Sequence, residues 1–163
     1  MKKKPLILIG AGGHARSCID VIENENKYYI YGIIDKASKK NFMGYKILGD
    51  DSKLKIFSKK INNIVIGIGQ IRNFNQRIEI FKICKRLGYK FPVIKSKNSY
   101  VSKNVSIGEG TIIFHGSIIN SNAKIGKNCI INSRSLIEHD VEIEDNCHIS
   151  TGTIVNGGCK IDD

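Results

Sequence analysis

Residues 101–163 read VSKNVSIGEGTIIFHGSIINSNAKIGKNCIINSRSLIEHDVEIEDNCHISTGTIVNGGCKIDD. Stepping by six from Val101 lands on Val101, Ile107, Ile113, Ile119, Ile125, Ile131, Ile137, Ile143, Ile149, Val155 and Ile161, an aliphatic side chain at all eleven places. Roughly a third of such a chain is Ile, Val or Leu, so chance gives this run about once in ten thousand or less. Four residues after each comes a second column of small or β-branched residues: Val105, Thr111, Ser117, Ala123, Cys129, Ser135, Val141, Cys147, Thr153 and Cys159. Gly, Asn, Glu, Ser or Asp usually fills the place just after the aliphatic one, with turn-forming side chains. No α-helix produces this period, whereas short flat strands separated by turns do. Each hexad is one strand and one corner, the aliphatic residue pointing into the shaft and the small one fitting where the chain bends. The repeat therefore predicts a parallel β-solenoid.

Upstream of the repeat the chain changes character. Residues 1–100 carry 21 Lys/Arg against 7 Asp/Glu, and residues 101–163 carry 5 against 8. Two units with different partners fit this split, and 163 residues suffice for two small domains. The basic part suits an acidic surface or a phosphorylated small molecule. Its lysines are scattered rather than lining one helix, and no nucleic-acid module is present, so nucleic acid is the weakest partner. Lys2 to Lys4 lead into only five apolar residues before Gly10, and no apolar run approaches a membrane span, so neither a secretory signal nor membrane insertion is expected and the protein reads as cytoplasmic. The five cysteines are odd in number and lack a CxxC pair, so neither a disulfide framework nor a zinc knuckle is suggested and reduced, mostly buried thiols are expected, those of the inner column included.

The N-terminal part reads as strand Lys4 to Ile9, the turn Gly10-Ala11-Gly12-Gly13-His14-Ala15, then a helix through Cys18, Ile19, Val21 and Ile22. A second strand, Tyr29 to Ile34, ends at Asp35; a third, Ile64 to Ile68, ends in Gly67-Ile68-Gly69 and leads into a helix from about Ile71 to Leu87. Phe91 to Ile94 reads as a fourth strand. Glycines that let the backbone approach a ligand, followed by a helix N-terminus, are a phosphate-binding arrangement. Gly10, Gly12 and Ala15 satisfy the GxGxxA dinucleotide pattern, but the unit has about half the length of a full dinucleotide fold. A nucleotide-sugar site, an NAD-type site and a purely structural turn all stand at this point. The expected organisation is α/β plus β-solenoid: a small Rossmann-like domain over 1–95 and a solenoid domain over 96–163.

Three of the four histidines, His115, His139 and His148, lie in the repeat, outside its interior columns. His139 differs in being flanked by Glu138 and Asp140, carboxylates able to orient its ring. Ile137-Glu138-His139-Asp140, preceded by Asn132-Ser133 and followed by His148-Ile149-Ser150, resembles the NeuD/PglD type of bacterial sugar O- and N-acetyltransferases. Gly12-Gly13-His14-Ala15-Arg16, Ile33-Ile34-Asp35 and Ile66-Gly67-Ile68-Gly69 are similar to that family's nucleotide-sugar domain, so the likeness spans both units in one order.

The resemblance implies a left-handed β-helix of hexapeptide repeats, three hexads to a coil, with coils at 101–118, 119–136 and 137–154. It implies acetyl transfer from acetyl-CoA to the amine of a UDP-linked amino sugar for surface glycan or glycoprotein assembly. The alternatives are O-acetylation of a sialic-acid-like sugar and, in another class, a non-catalytic nucleotide-sugar-binding trimeric fragment. His139 is then the general base and Asp140 the residue that hydrogen-bonds its imidazole. Gly12, Gly13, His14, Asp35, Gly67 and Asn132 are implied to face the sugar substrate, and His148 and Gly157 the CoA; Arg16 is a candidate for a phosphate contact or for plain helix solvation. Transfer is expected to be direct, without metal or acetyl-cysteine, in a homotrimer with His115 near the subunit interface. The family has further coils, so the 96–163 unit reads as truncated at its C-terminal end.

Overall fold

The computed structural model describes residues 2–36, 40–70 and 74–162, which fall into two compact units, Met1–Pro92 and Val93–Asp163. In the first, β1 (Lys4–Ile9), α1 (Gly13–Glu25) and β2 (Tyr28–Ile34) are followed by a hairpin of β3 (Asn41–Phe42) and β4 (Tyr45–Gly49), then α2 (Leu54–Phe57), β5 (Asn63–Ile66) and α3 (Asn75–Arg86). The sheet order is β3-β4-β2-β1-β5, parallel throughout except at the hairpin. Leu6 to Ile9 are all buried, as an uninterrupted apolar run in a central parallel strand must be. Helix α1 covers the sheet with Ala15, Cys18, Ile19 and Ile22, the spacing of one helical face.

Three features depart from the sequence expectations. The hairpin was not foreseen: Met43 (φ 48°) and Gly44 (φ 82°) take positive φ at both turn positions, which suits a tight hairpin, but Met-Gly carries little of the usual Asn-Gly signal. The start expected for the third helix, near Ile71, lies outside the described residues. Phe91 to Ile94 is not a strand; Ile94–Lys95 is, and it pairs with Ile112–Ile113 inside the solenoid. Lys95 occupies the register place held by Ile113 one coil later, which is why the aliphatic period begins only at Val101.

The second unit is a left-handed parallel β-helix. Two-residue strands stack at a register of 18 residues into three faces, three hexads per coil as expected. The inward column from Ile113 to Val155 forms one core with Ala123, Cys129, Val141 and Cys147. Where the small column is polar, its hydroxyls bond backbone carbonyls: Ser117 Oγ to Asn132 O at 2.8 Å and Thr111 Oγ1 to Gly126 O at 2.8 Å. Cys159 departs from the expectation of burial: it lies in the last described coil, with no further coil stacked upon it, and is exposed.

A third column escaped the sequence reading. Gly110, Gly116, Asn122, Asn128, Arg134, Asp140, Asn146, Gly152 and Gly158, six residues apart, all have φ between 55° and 77°. These are the corners, and from Arg134 onward each donates its N–H to the carbonyl nineteen residues earlier, as in Arg134 N to His115 O (3.0 Å) and Gly158 N to His139 O (3.0 Å). Glycine, Asn and Asp tolerate this left-handed conformation best.

The three faces differ chemically. The outward residues of the first are Tyr100, Ile118, Leu136 and Ile154, of which Tyr100 is 59%, Ile118 42% and Ile154 65% exposed. The second carries Ser106, Lys124, Glu142 and Lys160, with a Lys124–Glu142 ion pair at 2.7 Å. The third carries Ile94, Ile112 and Ile130, all buried, and then the half-buried His148.

Candidate functional site

Strands β2 and β5 flank β1 on opposite sides, so the chain reverses its direction of travel across the sheet at β1. Such a switch point opens a crevice at the carboxyl ends of the strands. A pocket of about 440 Å³ lies there, its walls including Gly10 to His14, Asp35, Lys36, Asp51, Gly67 and Glu79. The five N-terminal residues proposed for substrate, Gly12, Gly13, His14, Asp35 and Gly67, all line it; Arg16 does not, and its guanidinium lies 4.8 Å from the Phe42 ring centroid instead.

The glycines of this loop have separate reasons. Gly10 sits at φ 99° with Ile68 and the Gly67 carbonyl 3.2–3.3 Å from where a Cβ would stand, so the turn itself requires it. Gly12 and Gly13 are different: a Cβ on either meets nothing within 4 Å. Their bareness leaves the N-terminus of the 13-residue α1 open to the pocket, with no acidic residue in its first turn and no side-chain cap. Free N–H groups and the helix dipole there favour an anion. Asp35 Oδ2 accepts from Ala11 N–H at 2.7 Å and so ties the loop to the end of β2.

One residue behind this wall was missed. Arg77 of α3 is fully buried, and its Nη1 donates to Ile66 O at 2.6 Å and Ile68 O at 2.9 Å, holding the backbone on either side of Gly67. The signal was present: Arg77, Ile80 and Cys84 recur at helical spacing and are the buried residues of α3.

In the solenoid, His139 Nδ1 lies 2.8 Å from Asp140 Oδ2. Hydrogen bonds from Asn122 and then His139 hold the Asp140 carboxyl below its ordinary value, so near neutral pH it is ionised and can only accept. The His139 Nδ1 therefore carries the proton, and in the neutral ring Nε2 keeps its lone pair. The neighbouring coil fixes the flanking carboxylates: Asn122 Nδ2 donates to Asp140 Oδ1 at 2.5 Å, and Asn120 Nδ2 to Glu138 Oε2 at 2.8 Å. Gly157, one coil after His139, makes room for the ring, since a Cβ there would stand 2.8 Å from both Cε1 and Nε2. The His139 side chain is 66% exposed.

Asn132 and His148 form a second cluster. Asn132 Oδ1 accepts from Ser133 N–H at 2.8 Å, which orients the amide so that Nδ2 faces His148 Nε2 at 3.3 Å. The corner after the third face carries Asn132, and the corner after the first carries His139, so one chain separates the two clusters along its coil. Gly157 stands against His139, and Asn132 against His148. His115 is half-buried, its Nδ1 2.6 Å from Ser96 Oγ. Burial pushes the Cys129 thiol up to about 12, leaving little thiolate for covalent chemistry.

Among the described residues no group of side chains could hold a metal ion, and no helix is long and apolar enough to cross a membrane. Residues 5–83 match the PglD N-terminal domain model, and residues 104–139 and 122–157 match the bacterial transferase hexapeptide model of six repeats. No curated protein sequence matches the chain. Among solved structures, the chain superimposes on a histidine-to-asparagine mutant of perosamine N-acetyltransferase from Caulobacter crescentus, in complex with CoA and GDP-perosamine, with a TM-score of 0.90, 24% identity and coverage of 96% of this chain and 73% of that one. The acetyltransferase domain of PglB from Neisseria gonorrhoeae in complex with acetyl coenzyme A gives a TM-score of 0.87 at 20% identity, covering 99% of this chain and 94% of that one. At these identities the likeness is one of fold. With both sequence models matched in the order of the two units, the chain belongs to the PglD/NeuD-type family of hexapeptide-repeat acetyltransferases.

Proposed function

We propose that this protein transfers acetyl from acetyl-CoA to the amine of a nucleotide-linked amino sugar, a UDP-sugar in the reading from sequence, with His139 as general base. The observation that carries the reading is the His139–Asp140 pair, whose hydrogen bond leaves Nε2 as the free base above the bare Gly157. The amine nitrogen attacks the thioester carbonyl, forming the N–C bond as the C–S bond breaks. His139 Nε2 takes the amine proton and returns it to the departing CoA thiolate. Positioning and one base of suitable basicity suffice for such a step. The buried thiols of Cys129 and Cys147 favour direct transfer over an acetyl-cysteine intermediate.

The glycine loop and the open end of α1 are assigned to the phosphates of the sugar nucleotide. The apolar stripe of the exposed Tyr100, Ile118 and Ile154 and the half-buried Leu136 is assigned to neighbouring copies in a homotrimer, because the second face is charged and the third is already buried apart from His148. That stripe runs between the corner of Asn132 and the corner of His139, so a copy seated on it sets one chain's CoA-side residues near another's base. The setting is assigned to the cytoplasm, where acetyl-CoA is available.

The test is thiol release from acetyl-CoA with a panel of UDP- and GDP-linked amino sugars and a sialic acid, with His139→Ala alongside. Release with an amino sugar, lost in the variant, is the expected result. Release that is unchanged in His139→Ala, or none with any acceptor, overturns the reading.

A further inference from the structure

Eight of the nine described left-handed corners hold Gly, Asn or Asp, the residues that tolerate this conformation; the ninth is Arg134, at φ 58°. An arginine there is strained, and the backbone has no need of it, because its N–H bond to His115 O is one any residue makes. Its guanidinium makes no hydrogen bond or ion pair with a described residue. The corners one coil before and one coil after, Gly116 and Gly152, have no side chains, and the Arg134 stem passes over Gly116, where a Cβ would stand 3.4 Å from Cγ. Arg134 is exposed and is the one arginine between Val93 and Asp163. It shares its corner with Asn132, which touches His148. An unpaired, planar, permanently charged donor set kept at a conformational cost beside two candidate ligand contacts is suited to bidentate recognition of a phosphate.

We infer that Arg134 binds a phosphate group of a reactant held at this corner, and that its place in a strained position is kept for that contact. The inference rests on the acetyl-transfer reading for the identity of the reactant. Two sources carry the same chemistry, the phosphates of the acyl donor and those of the sugar nucleotide.

Arg134→Gly relaxes the corner while removing the guanidinium, so stability and binding are expected to move in opposite directions. Thermal unfolding is expected to rise by roughly 2–4 °C. Direct titration of wild type and variant with CoA and with UDP- and GDP-sugars is expected to show affinity for one of the two classes falling roughly ten- to hundredfold, the size of a charge-assisted hydrogen-bond pair. In turnover, the KM for the same reactant rises while kcat is kept. If the acyl donor is the source, acetyl-pantetheine, which lacks phosphates, reacts equally with both proteins. Equal affinities of both proteins for both reactants, or no binding of either reactant by the wild type, overturn the inference. Binding that depends on Arg134 without any acetyl transfer upholds it and counts against the acetyl-transfer reading alone.

Discussion

Replacing Gly157 by alanine tests the geometry of the base directly. The added Cβ would lie 2.8 Å from Cε1 and Nε2 of His139 and 3.3 Å from Nδ1. Ordinary carbon contacts begin near ~3.5 Å, so the ring must retreat by roughly 0.7 Å. Backbone strain plays no part, since Gly157 is not among the residues with positive φ. The ring is 66% exposed and can swing toward solvent, so folding should change by less than about 0.5 kcal/mol. The retreat nevertheless disturbs the 2.8 Å bond to Asp140 and displaces Nε2 from the position the acceptor amine must meet. Misplacement of a catalytic group by about 1 Å costs on the order of 10²-fold, about 2.7 kcal/mol of transition-state stabilisation. The assay is thiol release from acetyl-CoA with the accepted amino sugar, both substrates varied, beside thermal unfolding of the two proteins. A fall in kcat of roughly 10²-fold with an unchanged melting temperature is expected. Retention of kcat within twofold would falsify the claim that Gly157 clears space for a reacting His139, and a rise confined to the KM for acetyl-CoA would show it to be a CoA contact instead.

Other outcomes follow from the same geometry. His139→Ala is expected to lower turnover by ~10²- to 10⁴-fold with folding intact; Asp140→Asn should lose less, because Asn also accepts the left-handed corner at φ 61° and removes only the charge. Because the Asp140 carboxyl is held below its ordinary 3.8 by Asn122 and His139, its stabilising contribution is present above about pH 4 and fades as pH falls through the lowered native value. A carboxyl NMR titration checks this, and an ordinary or raised value would contradict the hydrogen bonds from Asn122 and His139. Gly12→Ala and Gly13→Ala place a methyl group in open space, so thermal stability should hold while nucleotide-sugar affinity drops roughly tenfold or more as the α1 N-terminus is covered; loss of stability with binding intact would make the loop merely structural. Arg77→Met leaves the Ile66 and Ile68 carbonyls without their donor and should lower stability by about 2–4 kcal/mol in denaturant unfolding, whereas an unchanged midpoint would mean that water or a neighbour replaces it.

What could be read from the sequence, and what could not, divides by the range of the interaction. The solenoid was legible because each hexad repeats one local rule, and the inward column from Ile113 to Val155 is buried as that rule demands. The strand-glycine-helix order of the first unit was legible for the same reason, since Gly10, α1 and Asp35 are each a local consequence of the residues around them. The limits appear where a residue answers to a partner one coil away. Lys95 breaks the aliphatic period but keeps its register because Ile113 pairs with it. The corner column was in principle readable as Gly, Asn and Asp six residues apart, yet its meaning lies in hydrogen bonds spanning nineteen residues. The candidate base shows this most clearly. Glu138 and Asp140 beside His139 are adjacent in sequence, so the pair could be proposed from sequence, but what orients them is Asn120 and Asn122 from the coil before and what gives the ring its space is Gly157 from the coil after. A strict register of 18 residues turns three distant short motifs into one site, so an insertion or deletion of one residue between Asn122 and Gly157 would separate Asp140 from the Asn122 amide that holds it, or His139 from its clearance, while leaving every hexad but one intact.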